Sequence, residues 1–586
     1  MKSTFRSQQS SDSWKVLIIC LLLWNCKSSQ PSQTAQGSAP SSTSELQSGP
    51  AIASDEPMTV LDSTHTAEVA PVSYVDSASI HDEIVELIAH IREIEPGFDQ
   101  RTTDFLSHIY EQSGYEPIWQ VPQYDGALAQ LEESIYEGLN PADYYVHKID
   151  SLLSAYDESD PGVNHTLVET DVLVTYAYLK FGEHLMEGRL NPNEIFPEWN
   201  YTRREYSVDV AEALTQAIKF DDPSAYLKYC QPQAPAYDRL KGWLRRLIDD
   251  DLLDVSLQLP EGVGALREGD SAEFILDLKV YLSQFSSRGD FELDGIFDTT
   301  LVETIKRFQA HHGLAADGIL GKNTVAKLNM TKEERINVLR INLERCRWLL
   351  HDLPERFILV NVAGYNLYIF ENMEPVYSSR VIVGQPHHET PVFHADIEYV
   401  EFNCTWTVPV SIALNETLPS ILSKENYLET RHFEVLRNGR VVDPSAIDFS
   451  RYGPGNLPYT FRQKPGPWNA LGRMKFIFPN EYSVYLHDTP ARYLFSKEGT
   501  RAFSHGCVRV QNPAILAEQV LGGQGYSVPK IEKVLESAET QRVYLNKPLP
   551  ILLTYWTAYT TDEGAEIYFV SDIYERDKRI AELMSL

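Results

Sequence analysis

Cysteine is scarce in this chain of 586 residues, and the few cysteines lie far apart. The six are Cys20, Cys26, Cys230, Cys346, Cys404 and Cys507. Their spacing matches neither the close, regular pattern of a disulfide framework nor the CxxC pairs of a zinc site. The last four could pair in an oxidising compartment, or one functional thiol could stand beside three buried ones. We predict that Cys230, Cys346 and Cys404 are structural, which leaves Cys507 as the candidate functional thiol.

Basic residues are also in short supply, with 51 Lys and Arg against 83 Asp and Glu and a net charge of −32. A surface this acidic repels phosphate backbones, so we exclude nucleic acid as a partner. Apolar residues are not lacking, because they make up 43% of the chain and allow several hydrophobic cores. The length predicts three or four domains of roughly 100–200 residues each.

The apolar run near the N-terminus, residues 16–24, is far shorter than the roughly 20 residues that a membrane-spanning helix needs. It follows basic residues, so we interpret residues 1–26 as a signal peptide. The run ends in Leu23-Trp24-Asn25-Cys26, which resembles a bacterial lipoprotein box with bulkier residues than usual. This predicts a periplasmic protein lipidated at Cys26, while ordinary cleavage or none is the alternative. Residues 27–78 have few large apolar side chains, which predicts a flexible tether.

Residues 79–255 show helical periodicity and are predicted to form a helical scaffold domain. In the stretch "IHDEIVELIAHIREI" the apolar residues at three- and four-residue steps are Ile80, Ile84, Leu87, Ile88 and Ile91. No catalytic constellation stands out in this part of the chain. We therefore expect its Trp119, Tyr144 and Tyr145 in a core or an interface.

Residues 265–330 contain an imperfect repeat. Its two copies are Asp294-Gly295-Ile296-Phe297 and Asp317-Gly318-Ile319-Leu320. Each Asp-Gly pair predicts a tight turn with a left-handed glycine that leads into a short helix. The stretch "IKRFQAHHGLAADGILGKNTVAKLN" resembles the small helical peptidoglycan-binding module. This resemblance implies either a wall-binding domain or a spacer.

From about Phe357 the period changes to two, in stretches such as "FILVNVAGYNLYIFE" and "YSVYLHD". We predict a β-rich domain over residues 335–586, which makes the whole chain an α+β multidomain protein. An insertion at residues 411–460 has the length of a functional lid. Its leading apolar residues are Ile412, Leu414, Leu418, Ile421 and Leu422. We expect them to pack as one helix face into the groove beside Cys507, with Gly453 and Gly455 as the hinge region.

The candidate thiol lies in the stretch "TRAFSHGCVRVQNP", residues 500–513. A nearby imidazole, backbone N–H groups and partial exposure lower a thiol pKa and so make a cysteine reactive. If "EYSVYLHDTP" and "SHGCVRV" form neighbouring strands, alternation puts four polar side chains on one surface. These are Tyr485, His487, Cys507 and Arg509. Ser504 and Gly506 lie on the turn into the second strand, where free N–H groups can bind an oxyanion.

These residues resemble the signature of the L,D-transpeptidase family, a strand histidine followed at a distance by Ser-His-Gly-Cys and a basic residue. The resemblance is to the large Gram-negative branch, which combines a helical scaffold, a peptidoglycan-binding module and a lid insertion with the β-rich L,D-transpeptidase catalytic domain. It implies that Cys507 is the nucleophile and His487 its base, with His505 as the competing base. Within the motif Gly506 precedes the nucleophile, and Ser504 and Arg509 would orient the substrate or the histidine. Tyr485 is a further candidate substrate contact on the same surface, and Trp406 is expected either to line the acyl-donor groove or to lie in the core.

The resemblance further implies peptidoglycan synthesis by acyl transfer, without a cofactor. Cys507 attacks the carbonyl that precedes the terminal D-alanine of a stem peptide, and an amine of a second stem then takes the acyl group in a 3→3 cross-link. Carbapenem inhibitors should acylate the same thiol. With water as the acceptor the same residues would give an L,D-carboxypeptidase or endopeptidase, and a non-catalytic wall-binding protein is the third alternative.

A zinc site is a further alternative for the same histidines and thiol. It would use His487, His505 and Cys507, with His387 or His388. The sequence lacks the acidic ligands and the spacing expected for such a site, so we predict no metal.

Overall fold

The computed structural model of the protein describes residues 77–94, 100–156, 163–202, 204–249, 257–260, 264–285, 291–497, 499–561 and 566–586. The predicted signal peptide, Cys26 and nearly all of the predicted tether lie outside these residues. Helix α1 (Ser77–Ile94) begins slightly before the predicted start of the scaffold. Within the described ranges, no helix is both long and apolar enough to cross a membrane.

The N-terminal part is helical, as predicted. After α1 come α2 (Gln100–Gln112), α3 (Tyr124–Glu132), α4 (Val146–Ser154), α5 (Val163–Glu187), α6 (Pro192–Ile195), α7 (Val208–Lys219), α8 (Pro223–Cys230) and α9 (Pro235–Asp249). The apolar faces of α1 to α4, α7 and α8 pack around α5 and form one core. Trp119 and Tyr144 are buried in this core, which confirms the prediction for both, and Tyr145 packs against it half-buried. The buried Asp171 ties the core together by accepting hydrogen bonds from the hydroxyls of Tyr110 and Tyr124.

A second small core forms the predicted peptidoglycan-binding-like domain. Its helices are α10 (Ile275–Phe285), α11 (Thr299–His311) and α12 (Lys322–Leu328). The buried ammonium of Lys279 bridges the carboxylates of Asp294 and Asp298, at 2.7 and 2.5 Å. Gly318 has the predicted left-handed backbone, with φ of 71°, but Gly295 does not. The positive φ therefore favours glycine at position 318, whereas the backbone at position 295 does not require it.

The last helix of the predicted scaffold packs against the C-terminal domain. Helix α9 packs against α13 (Lys332–Leu349), and both belong to the core of the C-terminal domain. Trp199 and Trp348 meet edge to face with ring centres 5.6 Å apart. The buried guanidinium of Arg347 donates to the Tyr237 hydroxyl and to the Glu137 carbonyl. Periodicity did not indicate this contact, because it shows that a helix face is buried but not against which neighbour.

The C-terminal part is β-rich, as predicted. Its strands are β1 (Arg356–Asn361), β2 (Asn366–Glu371), β3 (Glu374–Gly384), β4 (His394–Phe402), β5 (Trp406–Thr407), β6 (Phe433–Arg437), β7 (Arg440–Val442), β8 (Tyr459–Gln463), β9 (Met474–Ile477), β10 (Leu486–His487), β11 (Ala502–Ser504), β12 (Val508–Val510), β13 (Gln541–Thr554), β14 (Ala558–Thr561) and β15 (Glu566–Phe569). Its helices are α14 (Val410–Ile412), α15 (Leu418–Ser423), α16 (Tyr427–Thr430), α17 (Pro513–Leu521), α18 (Val528–Glu536) and α19 (Arg576–Met584).

The main sheet has nine strands in the order β11-β3-β12-β10-β9-β4-β13-β1-β2, and β2 also pairs with β3. This extra pairing closes the sheet into a ring and covers strand edges that would otherwise invite aggregation. The short strands β10 and β12 lie side by side in it, and they carry the predicted catalytic segments.

The insertion is a folded unit, which corrects the prediction for its leading helix. Strands β5, β8, β6 and β7 form a separate four-stranded sheet, so the insertion starts at Trp406 and ends at Gln463. The apolar residues of α14, α15 and the π-helical turn between them, including Ala413 and Leu418, pack onto Val435 of this sheet. Leu422 stays exposed. The partner of the helix is therefore the insertion's own sheet and not the groove beside Cys507.

Candidate active site

The site is assembled by the pairing of β10 with β12, which run parallel with Leu486 opposite Val508 and His487 opposite Arg509. Leu486, Val508 and Val510 are buried in the domain core. The predicted neighbouring strands and their alternation are thus confirmed. Cys507 directly precedes β12 and is half-buried, so its thiol lies at the rim of the core.

The Cys507 thiol is protonated in the free protein, because burial raises its pKa. Hydrogen bonds to Tyr485 and the positive charges of Arg509 and Lys475 work in the opposite direction. The thiol itself lies 3.6 Å from the Ser483 carbonyl oxygen, to which it donates. A group that removes its proton is therefore needed for reaction.

The other described cysteines are buried and free, as predicted for structural thiols. Burial raises the pKa of Cys230, Cys346 and Cys404 to about 12 each. At that pKa they hold almost no thiolate near neutral pH, and all three are buried whereas Cys507 is half-buried.

His487 is buried and neutral. Burial, aided by the charge of Arg509, lowers its pKa to about 3, although hydrogen bonds to the carbonyls of Asp488 and Leu471 oppose this. Its Nδ1 lies 2.5 Å from the Asp488 carbonyl oxygen. A carbonyl oxygen only accepts, so Nδ1 carries the proton and Nε2 keeps a lone pair. The Tyr485 ring packs edge-on against the imidazole, with ring centres 5.7 Å apart.

The turn before Cys507 is held internally, which corrects one prediction. The Ser504 hydroxyl donates to the Cys507 carbonyl oxygen at 2.5 Å, and the Gly506 N–H donates to the Ser504 hydroxyl at 3.1 Å. The Gly506 N–H is therefore not free to bind an oxyanion. Among the described residues, the N–H of Cys507 has no acceptor. Gly506 has φ of 110°, which favours glycine at this position.

Three residues that the sequence reasoning missed hold this turn from outside. The Thr390 hydroxyl donates to the Gly506 carbonyl oxygen at 2.7 Å and accepts from the Gly384 N–H at 2.9 Å. The Tyr574 hydroxyl donates to the Gly384 carbonyl oxygen at 2.7 Å. Gly384 and Thr390 lie more than a hundred positions before Cys507, and Tyr574 lies far after it. No local pattern could therefore have indicated them.

Asp488 was also missed, although it follows His487 directly. Its buried carboxylate accepts from the Arg473 N–H at 2.9 Å and from the Arg492 guanidinium at 3.0 Å. A Cβ at Gly472 would come within 2.4 Å of the Asp488 side chain, and Gly472 also has φ of 63°. The contact with His487 is made by the backbone carbonyl of Asp488 and not by this carboxylate, so the side chain type in "HDTP" gave no signal for it.

His505 is exposed and faces the insertion. Its Nε2 lies 2.8 Å from a carboxylate oxygen of Glu416, in the π-helical turn of the insertion. Its ring also packs near His388, which in turn contacts His387. Within the part of the chain that the structure describes, no group of three or more His, Cys, Asp or Glu side chains is arranged to hold a metal ion.

Arg509 and Trp406, two residues predicted to contact the substrate, lie in different parts of the structure. Arg509 is half-buried beside Cys507, and its Nε is buried with no hydrogen-bond partner among the described residues. Trp406 lies in the sheet of the insertion and packs against Phe433, with ring centres 6.2 Å apart. The structure thus gives Trp406 a role in the core of the insertion, and its contact with substrate stays a prediction.

Three stretches of the chain match known families. Residues 104–244 match "Scaffold domain", residues 271–328 match "Putative peptidoglycan binding domain" and residues 355–534 match "L,D-transpeptidase catalytic domain". The C-terminal part of the chain is therefore similar to the L,D-transpeptidase catalytic domain. The resemblance and the α+β multidomain fold class are confirmed, since the three matches follow each other in the predicted order.

The relatives cover parts of the chain. "Putative L,D-transpeptidase" of Haemophilus influenzae is 34% identical over 273 residues, which are 46% of this chain and 54% of that protein. The chain therefore spans about half the length of this relative. "Zinc D-Ala-D-Ala carboxypeptidase" of Streptomyces albus G is 32% identical over 87 residues, 14% of this chain and 34% of that protein. A crystal structure of an L,D-transpeptidase from Stackebrandtia nassauensis is 15% identical with a TM-score of 0.21, covering 49% of this chain and 94% of that chain.

Proposed function

We propose that this L,D-transpeptidase forms 3→3 cross-links between peptidoglycan stem peptides through a thioester on Cys507. The observation that carries the proposal is the neutral imidazole of His487, fixed by a backbone carbonyl on the strand next to Cys507. A protonated thiol beside a neutral, oriented imidazole is the resting state that general-base catalysis requires.

The reaction would run in two balanced halves. As the Cys507 sulfur attacks the carbonyl before the terminal D-alanine, Nε2 of His487 takes the thiol proton. The tetrahedral intermediate collapses, the D-alanine amine leaves with that proton, and a thioester remains. The side-chain amine of a second stem then attacks the thioester, gives its extra proton to His487, and the thiol regains it as the cross-link forms.

The negative charge of each tetrahedral intermediate needs a donor. The N–H of Cys507 is the candidate, because Ser504 already accepts from the Gly506 N–H. Ser504 and Thr390 would act as positioning residues that fix the turn around the nucleophile. Arg509, which lacks a partner at Nε, would bind a carboxylate of the stem peptide.

His505 is the weaker candidate for the base. It is exposed and contacts Glu416 of the insertion, whereas the base of a water-sensitive thioester should lie away from bulk water. We assign it a role in seating the insertion over the site.

The test is a reaction of the purified protein with disaccharide-tetrapeptides, followed by mass spectrometry of the products. We expect 3→3 dimers from the wild type, none from Cys507→Ala, and a covalent carbapenem adduct at Cys507 in the wild type alone. Dimers formed by Cys507→Ala would refute the thioester. Tripeptide without dimers would instead identify an L,D-carboxypeptidase, which uses the same residues with water as the acceptor.

The peptidoglycan-related domains indicate a location at the cell wall or in the periplasm. We propose the periplasm, with the chain held at the membrane by a lipid on Cys26, which lies outside the described residues. A fatty-acid probe should label the wild type in cells and leave Cys26→Ala unlabelled; equal labelling would refute the anchor.

A further inference from the structure

A cleft of about 990 Å³ separates the peptidoglycan-binding-like domain from the catalytic domain. Its first wall is formed by α12, the loop after α11 and the first turns of α13. Its second wall comprises residues 570–581 together with Gly499 and Thr500. None of the groups that we assign to the acyl-transfer reaction lines this cleft.

Polar side chains without partners face each other across the cleft. Asn323, Lys327 and Asn337 lie on the first wall and Ser571 on the second. Among the described residues, none of these four side chains makes a hydrogen bond or an ion pair. Side-chain amides and hydroxyls that both donate and accept are suited to the hydroxyl and N-acetyl groups of sugars.

The charges of the cleft disfavour an anionic occupant. The carboxylates of Glu334, Asp572 and Asp577 line it, against the ammonium groups of Lys327 and Lys578. Burial lowers the pKa of Lys327, and the neighbouring carboxylates work in the opposite direction. A stem peptide carries carboxylates of its own, whereas a glycan strand whose lactyl groups are in amide linkage is neutral.

Apolar side chains lie between these polar groups. Leu314, Met330, Ile341 and Ile573 line the same cleft. Sugar rings have apolar faces and polar edges, so a wall that alternates apolar and amide side chains matches them better than it matches an extended peptide.

We infer that this cleft binds the N-acetylated glycan strand of peptidoglycan, at a site separate from the stem-peptide site at Cys507. The inference rests on the proposed action on peptidoglycan and adds the part of the polymer that is held. The Thr500 hydroxyl forms a hydrogen bond with the Tyr365 hydroxyl, with the two oxygens 3.0 Å apart. Thr500 lies two residues before β11, the strand that ends at Ser504. A strand bound in the cleft would therefore be held next to the segment that carries the nucleophile.

The test measures binding of short β-1,4-linked N-acetylglucosamine oligomers, a neutral glycan probe, to the full chain. Ala326→Trp fills the cleft from an exposed position on α12. Ala310→Trp is the matched control, because Ala310 is exposed on α11 of the same domain but does not line the cleft. We expect Ala326→Trp to weaken binding by about tenfold or more and Ala310→Trp to leave it unchanged. Thermal unfolding of both variants checks that they are folded.

Several results would overturn the inference. They are equal binding by all three proteins, absence of binding to the wild type, or displacement of the oligomers by a free tetrapeptide. Turnover of tetrapeptide by the wild type is measured separately. Turnover without glycan binding refutes only the cleft, and glycan binding without turnover refutes only the proposed reaction.

Discussion

Single residues decide the chemistry of this site through the protonation state that each holds before substrate arrives. Burial lowers the pKa of His487 to about 3 and raises that of the Cys507 thiol. Both shifts favour the neutral forms, a protonated thiol and a neutral imidazole. In the proposed mechanism the proton moves during attack, which makes the orientation of His487 by the Asp488 carbonyl central to the rate.

This gives a prediction that separates the two candidate bases. His487→Ala should slow acylation of Cys507 by at least about 100-fold, because general-base catalysis typically contributes 10²–10⁴-fold. His505→Ala, changing an exposed side chain in the same motif, should slow it by less than about tenfold, since it removes only a contact with Glu416. Single-turnover mass spectrometry with a carbapenem measures both rates.

The two substitutions serve as controls for each other, since both remove an imidazole from the same site. If His505→Ala slowed acylation of Cys507 far more than His487→Ala did, His505 would be the base and the imidazole of His487 a structural group. Equal large losses would mean that neither residue acts alone.

At the scale of elements, the insertion is a folded unit with its own sheet and core, and we predict that it caps the site. Its contact with the site is made by Glu416 in the π-helical turn, which meets His505 beside the nucleophile. Gly453 and Gly455, the predicted hinge region, lie inside this unit before β8 and not at the strands that join it to the main domain, and Gly455 has φ of 84°. A compact cap attached by two strands can shield a thioester from water as a unit, which a single helix could not do.

Removing the cap should change what happens to the thioester. Because Thr407 pairs with Arg462, residues 408–461 can be replaced by a two-residue Asn-Gly turn without breaking the main sheet. We expect the products to shift from cross-linked dimer toward hydrolysed tripeptide, with Cys507 still acylated by a carbapenem. The ratio of dimer to tripeptide by mass spectrometry is the measurement.

Glu416→Gln is a milder form of the same change. This substitution keeps the insertion folded and weakens its contact with His505. The ratio of dimer to tripeptide should therefore also fall, but by a smaller amount. An unchanged ratio in the capless protein, with the thiol reactive, would show that the insertion does not shield the thioester.

For the whole molecule, stability should depend on pH through its buried neutral histidines. Burial, with the charge of Arg204 adding to it, lowers the pKa of His351 to about 4. The unfolded chain binds a proton there below about pH 6.5 and the native state does not. Unfolding is therefore favoured as the pH falls from 6.5 toward 4. Asp171 acts in the opposite sense, because burial raises its pKa to about 6 and the native state holds its proton.

Comparing variants isolates the contribution of His351. Between pH 7 and pH 5, His351→Gln should lose less unfolding free energy than the wild type, by an amount on the order of 2 kcal/mol. Asp171 contributes equally to both proteins and cancels. Denaturant unfolding at the two pH values measures the difference, with His90→Gln on the exposed face of α1 as the control. Equal losses of unfolding free energy between pH 7 and pH 5 in His351→Gln and the wild type would contradict the prediction.

Local patterns were sufficient to predict the helices, the strands and the pairing of the catalytic segments. Alternation alone put His487 and Arg509 on one face, and the register of β10 and β12 agrees with it. Patterns failed where the partner is distant in sequence. The position of α9 against α13, the Thr390 contact with Gly506 and the core of the insertion all depend on neighbours that periodicity does not name.

The sequence by itself determined the chemistry that is available, because the thiol, the imidazoles and the glycine that permits φ of 110° are properties of residues. Only the tertiary structure decided which imidazole is buried and which N–H is occupied. Burial and hydrogen bonding set pKa values and donor availability, and both depend on atoms brought together from distant parts of the chain. His487 and His505 are the same residue type 18 positions apart, yet one is enclosed by the core and the other faces the cap.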